Sequence, residues 1–173
     1  MNTQLAALYD VLENQRFQLL AKVKANEDNF DRLPGAGQWS IHQVLSHLIT
    51  VERLSLQYIS KKIQGIATEG DTGLAEVLKM LAVKISLRLP LKFKAPVFVV
   101  DHATNYQSLD ELIQSWDGTR KQMRDLLDQF HDHELRRKVY RHVVVGKINI
   151  MQALGFLTDH IHHHMPQLNR LMK

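Results

Sequence analysis

The sequence predicts an all-α protein, a four-helix bundle with one long crossover connection between its second and third helices. Three observations carry this. Four long segments place apolar residues at mixed steps of three and four, the period of a helix with one buried face. Two of those segments open on a capping box, in which side chains satisfy the free N–H groups of the first turn. About 40 residues separate the second segment from the third, enough to cross the bundle and return, so these two helices can run parallel.

The first helix is expected over Thr3 to Ala25, with Leu5, Leu8, Leu12, Leu19 and Val23 on its stripe. Asp31-Arg32-Leu33-Pro34-Gly35 and Gly37 then break the chain. The second helix begins at the Ser40/Gln43 box and runs towards Gln64 with Ile41, Val44, Leu48, Val51 and Tyr58 on one side. A shorter helix is expected over Leu74 to Leu87, ending before Pro90. Leu91 to Val100 reads as irregular or briefly extended. The third long helix opens on Ser108 with Glu111 and carries Leu109, Leu112, Trp116, Met123, Leu127 and Phe130. His131 to Lys147 is a second irregular stretch, with Val143-Val144-Val145 as a short strand. The fourth long helix starts near Asn149. Ile150, Leu154, Leu157, Ile161, His164, Leu168 and Leu171 alternate four- and three-residue steps, a bundle seam.

The chain of 173 residues, 45% hydrophobic and 23% charged, suits a single domain spanning residues 1–173. No apolar run is long enough for a bilayer. The opening MNTQLAALYDVLENQ lacks the charged and apolar regions of a signal peptide, so a cytoplasmic location is expected, with no membrane partner. The net charge of +4 and pI of about 9.4 raise nucleic acid as a partner. The cations are dispersed, however. The densest group, Arg136, Arg137, Lys138 and Arg141, has only Tyr140 as an aromatic and reads as a solvated loop, so no nucleic-acid partner is expected.

There are no cysteines, so a metal would have to be held by His, Asp or Glu. Ten histidines are present. His160 and His164 lie one helical turn apart on the same face, a spacing that lets two imidazoles reach one ion. Chance alone supplies roughly 0.5 such pairs at this histidine content, so position must add to spacing. His164 lies within the apolar seam and His160 beside it. Two buried imidazoles each need partners for their ring nitrogens, and a shared metal supplies them. His47, with Val44, Val51 and Leu54 as its helical neighbours, also points inward. It is either a third ligand or a core histidine bonded to a backbone carbonyl. Three such ligands would leave coordination positions open, the pattern of a catalytic site. His162 points away and is exposed or at a subunit contact, and His163 flanks the site. His131 and His133 fall in a loop, while His42 and His102 have no partner spacing.

These residues resemble the DinB-like superfamily of small four-helix bundles. That family opens its second helix on Trp-Ser, followed by a histidine in a Val-Leu-x-His-Leu context. Here the stretch is Trp39-Ser40-Ile41-His42-Gln43-Val44-Leu45-Ser46-His47-Leu48. Its C-terminal His-x-x-His-His-x-x-Gln stands here as His160-Ile161-His162-His163-His164-Met165-Pro166-Gln167, and its glycine before the last helix as Gly146. The resemblance covers the whole chain. It implies that His47, His160 and His164 bind a divalent ion, zinc or nickel above others, since imidazole alone does not select the metal. Gln43, His163 and Gln167 become candidates to line the site or support the ligands. The chain departs from the family in two places: Ile161 replaces a frequent Glu, removing a proton acceptor, and Met165-Pro166 replaces a frequent Arg-Gly. Pro166 has no N–H for the carbonyl of His162 and should bend the helix.

Some relatives transfer thiols to electrophiles using a low-molecular-weight bacterial thiol, and others are described as metal-dependent hydrolases. The resemblance therefore implies a metal-dependent enzyme, thiol-transferase-like or hydrolase-like, acting on a small molecule. The rival is a non-catalytic metal-binding or stress-response bundle working through a protein partner. No catalytic residue is named by the pattern. Glu52 is rotated about 140° from His47 and reads as a helix-surface charge. Asp159 either orients a ring of a neighbouring molecule or faces solvent. Lys84, Arg88, Lys92 and Lys94 read either as a guide for an anionic thiol or as a solvated face. A homodimer is expected on general frequency.

Overall fold

The computed structural model describes residues 1–89 and 97–173. Helix α1 spans Thr3–Lys24, α2 Ile41–Ile63, α3 Leu74–Arg88, α4 Val97–Asp101, α5 Leu109–Leu127 and α6 Ile150–Leu171. The four long helices are those expected, to within a residue or two at each end, except that α5 stops at Leu127, three residues before Phe130, which was expected on its apolar face. Asn2 caps α1 through its side-chain oxygen, which accepts from Gln4 N and Leu5 N. Ser40 and Gln43 form the full reciprocal box on α2. Asn149 and Gln152 form another on α6, where only the helix start had been anticipated. At α5 the box is split. Ser108 Oγ accepts from Glu111 N, while Glu111 Oε2 accepts from Gln107 N rather than from the cap residue.

Helix directions follow from the residues that meet. The chain after α4 passes Arg53, whose guanidinium donates to His102 O and Thr104 Oγ1, and reaches Tyr106, whose N–H donates to His42 Nε2. The crossover thus runs back along α2 to its start. α5 then sets off beside α2 in the same direction, because Glu52 meets Trp116 and Arg120. α1 runs against α5: Met1 N pairs with Asp128, and Tyr9 Oη donates to Arg120 O. α6 packs on α1 and α2, and α3 lies along α6.

Two corrections concern the connections. Val143-Val144-Val145 is the turn of a hairpin, not a strand; β1 (Tyr140–His142) pairs antiparallel with β2 (Gly146–Ile148). Gly146 closes that turn at φ +86°, where a Cβ would meet the following carbonyl. Within the segment expected to be irregular or extended, 97–101 is helical, and the rest of it falls outside the described residues. Residues 70–72 pair with 136–138 through Thr72 N to Arg136 O and Lys138 N to Gly70 O. α6 continues through Pro166 to Leu171.

One apolar core holds these elements, with Leu5, Leu12, Leu19, Ile41, Leu45, Leu48, Ile49, Leu112 and Trp116 essentially sealed from solvent. Glu52 lies inside it, which corrects its reading as a surface charge. Its carboxylate accepts from Arg120 Nε and Nη2 at 2.9 and 2.7 Å and from Trp116 Nε1 at 2.8 Å. Arg120 Nη1 also lies 3.2 Å from Glu13 as an ion pair, and Arg16 joins Glu13 to Asp117. Burial pushes the Glu52 carboxyl above its usual range, against the pull of Arg120 and the Trp116 N–H. Among the described residues, no helix is long and apolar enough to cross a membrane.

Glu52→Ala strands the buried Arg120 guanidinium and should cost about 3–5 kcal/mol in urea unfolding. Glu52→Leu combined with Arg120→Met removes both charges and should recover most of that loss. Equal destabilisation by the single and paired changes would contradict the assignment.

Candidate metal centre

His47 sits in the second turn of α2, His160 at the middle of α6 and His164 one turn further on. The two helices pack against each other, and the three rings converge. Ring centroids are 5.0 Å apart for His47 and His160, 5.1 Å for His47 and His164, and 4.9 Å for His160 and His164. One nitrogen from each ring lies within 4.8 Å of the others. His47 is buried and the other two are partly buried.

Nitrogen geometry tests whether an ion fits. His47 Nε2 and His160 Nε2 are 3.2 Å apart. Two nitrogens each about 2.0–2.1 Å from a tetrahedral ion stand roughly 3.3 Å from one another. The pair is therefore already at ligand spacing. His164 Nδ1 lies 3.2 Å from Gln167 Oε1, so a proton on Nδ1 donates to the amide and leaves the Nε2 lone pair for the cluster. His47 Nδ1 is buried with no hydrogen-bond partner among the described residues, which leaves Nε2 as the nitrogen of that ring engaged in the cluster. No carboxylate or further histidine joins the three among the described residues.

The electrostatics favour neutral rings. Burial, then His164 and His163, push His47 down to about 4. Burial lowers His164 to about 4, with the Gln167 bond opposing and His163 adding to the fall. His160 is held well below its ordinary value by burial and by its histidine neighbours. At neutral pH all three offer lone pairs, the form a cation requires.

Of the residues named for supporting roles, Gln167 touches His164. His163 contacts the His164 ring, and its Nδ1 lies 2.8 Å from Leu87 O on α3. Gln43 is exposed; its Oε1 accepts from Ser40 N, and it borders a concavity of about 520 Å³ with Leu33, Gly35, Ala36, Gly37, Gln38 and Trp39. Trp39 lies 5.2 Å from the His47 ring, so it stands between that concavity and the cluster. His162 is exposed. Asp159 pairs with Arg88 at 3.6 Å. Lys84 and Arg88 are exposed, and Lys92 and Lys94 lie outside the described residues.

Three aromatic neighbours were not anticipated from the sequence as parts of the site. Phe156 stacks on His160 at 5.6 Å; its position one turn before His160 was the available signal. Beyond it lies His142, whose buried Nδ1 accepts from Val144 N and Val145 N and whose ring meets Phe156 at 4.5 Å. Trp39 had been noticed only as part of a motif. His42, which spacing left without a partner, is buried between Asp31, at 2.8 Å from Nδ1, and the Tyr106 N–H at Nε2.

A helical bundle with three neutral imidazoles converging from two helices defines a class: bundles with a candidate open, all-nitrogen metal site. The chain belongs to the DinB superfamily, whose family model matches residues 12–168. It is also similar to YuaE, an uncharacterized protein of Bacillus subtilis (strain 168). The two are 20% identical over 146 residues, 84% of this chain and 85% of that protein. No solved structure matches the chain.

The low histidine pKa values have a measurable consequence in chelator-treated protein. Between about 4 and 6.5 the unfolded chain binds more protons than the folded one, so stability should fall as pH drops through that window. Denaturant midpoints recorded across it should show this slope, and His47→Ala should flatten it. A slope that His47→Ala leaves intact would contradict the burial of a neutral His47.

Proposed function

We propose that this protein binds one divalent ion, zinc or nickel, through His47, His160 and His164. We propose further that it uses the open centre for metal-dependent chemistry on a small molecule, of thiol-transfer or hydrolytic type. The observation that carries this reading is the convergence of three neutral imidazoles with no fourth protein ligand among the described residues. Structural sites close with four protein ligands, whereas catalytic ones keep a position free.

A bound ion would act as a Lewis acid, making a water or a thiol a stronger acid at neutral pH. The chain's own residues set the conditions. Gln167 fixes the tautomer of His164 by accepting a hydrogen bond from its Nδ1–H at Oε1. Phe156 and Trp39 press against His160 and His47, which limits ring rotation and excludes water from those sides. The concavity beside Trp39 has no charged side chain in its lining and would receive an uncharged part of the substrate. Glu52 does not act as a base, because Arg120 and Trp116 occupy its carboxylate. Ile161 stands where many relatives have Glu. The proton acceptor is therefore assigned to the substrate or solvent rather than to that position.

Untagged protein should carry about one equivalent of metal by elemental analysis, as a single three-ligand site requires. His47→Ala, His160→Ala and His164→Ala should each remove most of it, and Gln167→Ala should weaken affinity about 10-fold or more. Metal content indifferent to all three histidine changes would overturn the site. A panel of bacterial thiols with a chromogenic electrophile, run with and without chelator, tests the chemistry. Chelator-sensitive turnover supports thiol transfer, and its absence with every thiol would exclude that branch.

A further inference from the structure

Three buried polar atoms close together on α2 have no hydrogen-bond partner among the described residues: Ser46 Oγ, His47 Nδ1 and Thr50 Oγ1. Elsewhere among the described residues the same is true of Gln15 Oε1 and Arg120 Nη1, and the latter lies 3.2 Å from Glu13 as an ion pair. Ser46 and Thr50 are 3% and 1% exposed, so bulk solvent does not reach them. Buried polar groups are almost always bonded to protein or to ordered water, because a bare one loses its hydration and gains nothing.

The two hydroxyls also behave differently from others on the helices. Ser and Thr within a helix often bond back to the carbonyl four residues earlier. Ser55, Thr119 and Thr158 do so here, donating to Val51 O, Ser115 O and Leu154 O. Ser46 and Thr50 make no such bond. At 100° per residue, Thr50 lies about 60° from His47 and Ser46 about 100°, both on the same side. Thr50 is three residues from His47 and four from Ser46, spacings that hold Cβ atoms about 5–6 Å apart. One water, with hydrogen bonds of about 2.7–3.0 Å, bridges groups at that separation.

We propose that Ser46 and Thr50 hold an internal water that accepts the Nδ1–H of His47, which makes them positioning residues for that ring. The role rests on the reading of His47 as a metal ligand. His47 Nε2 faces His160 Nε2 at 3.2 Å, so when Nε2 gives its lone pair to an ion the proton of the neutral ring is on Nδ1. The water accepts from Nδ1–H and from the Thr50 hydroxyl, and donates to Ser46 Oγ. Three bonds are the usual number for an internal water, and each of the three atoms gains one.

A ligating histidine almost always donates its second N–H to a carboxylate, a carbonyl or a water, which fixes the ring. On α6 that acceptor is Gln167 Oε1, three residues after His164. On α2 the residue three after His47 is Thr50. The long glutamine reaches its histidine directly, whereas the short threonine needs a water to close the distance. The two helices thus orient their ligands from the same relative position by different means.

A high-resolution crystal structure of the metal-free protein should show an ordered water within about 3.2 Å of all three atoms. No water there, or a direct bond from His47 Nδ1 to a protein atom, would overturn the proposal. Zinc titration in competition with a chromogenic chelator tests the role. Thr50→Val keeps the side-chain shape and removes the hydroxyl, so it should weaken zinc binding about 10-fold with unchanged helical circular dichroism. Thr50→Ser should restore near-wild-type affinity. Thr119→Val, which removes a hydroxyl bonded to its own helix, should leave affinity unchanged. Full affinity in Thr50→Val, or an equal loss in Thr119→Val, would overturn the positioning role and leave the metal assignment standing. A wild type that binds no zinc would instead remove the metal centre and the positioning role with it, while the crystallographic water still decides what Ser46 and Thr50 hold.

Discussion

The buried pair between Glu52 and Arg120 sets the register on which the bundle depends. A carboxylate and a guanidinium removed from water must meet closely and satisfy their remaining hydrogen-bonding groups, or the desolvation cost is not recovered. Here two bonds join them and the Trp116 N–H takes part. That condition holds at one axial position of α2 against α5. With α2 held there, His47, less than two turns earlier, is turned towards α6 instead. The parallel arrangement also forces the long crossover. Its final stretch is fastened by Arg53 and by the nitrogen of His42 that accepts from Tyr106 N.

The histidine cluster imposes a different kind of constraint. Three imidazoles brought together in a partly buried place repel one another when charged, so the fold holds them neutral. Neutrality supplies lone pairs, but it leaves nitrogens facing each other with little to satisfy them, as at His47 Nε2 and His160 Nε2. Folding therefore pre-assembles a site whose unmet valences a cation can satisfy. The aromatic rings around it are inexpensive walls: Phe156 and Trp39 shield the histidines without competing as ligands.

The crossover does more than span the bundle. α3 is anchored to α6 by a carbonyl and an ion pair next to the cluster, yet presents leucines and an isoleucine outward.

Local pattern alone determined the four long helices, because periodicity and caps are properties of contiguous residues. Ser40 with Gln43 marks the start of α2 whatever α2 later packs against. The i, i+4 pair on α6 was legible for the same reason, and the family motif pointed to His47. The turn at Val143–Val145 was misread because three β-branched residues favour a strand, while Gly146 at positive φ and the pairing of Tyr140 with Ile148 override that preference. Glu52 was misread because rotation from His47 places it on another face of α2 without saying that the face is buried; Trp116 and Arg120, more than sixty residues away, make it so. The sequence by itself determined which residues could bind an ion and where helices begin. Only the tertiary structure decided that three imidazoles from two helices share one space, because that depends on how α2 and α6 are set against each other, and no local pattern encodes a distance between helices.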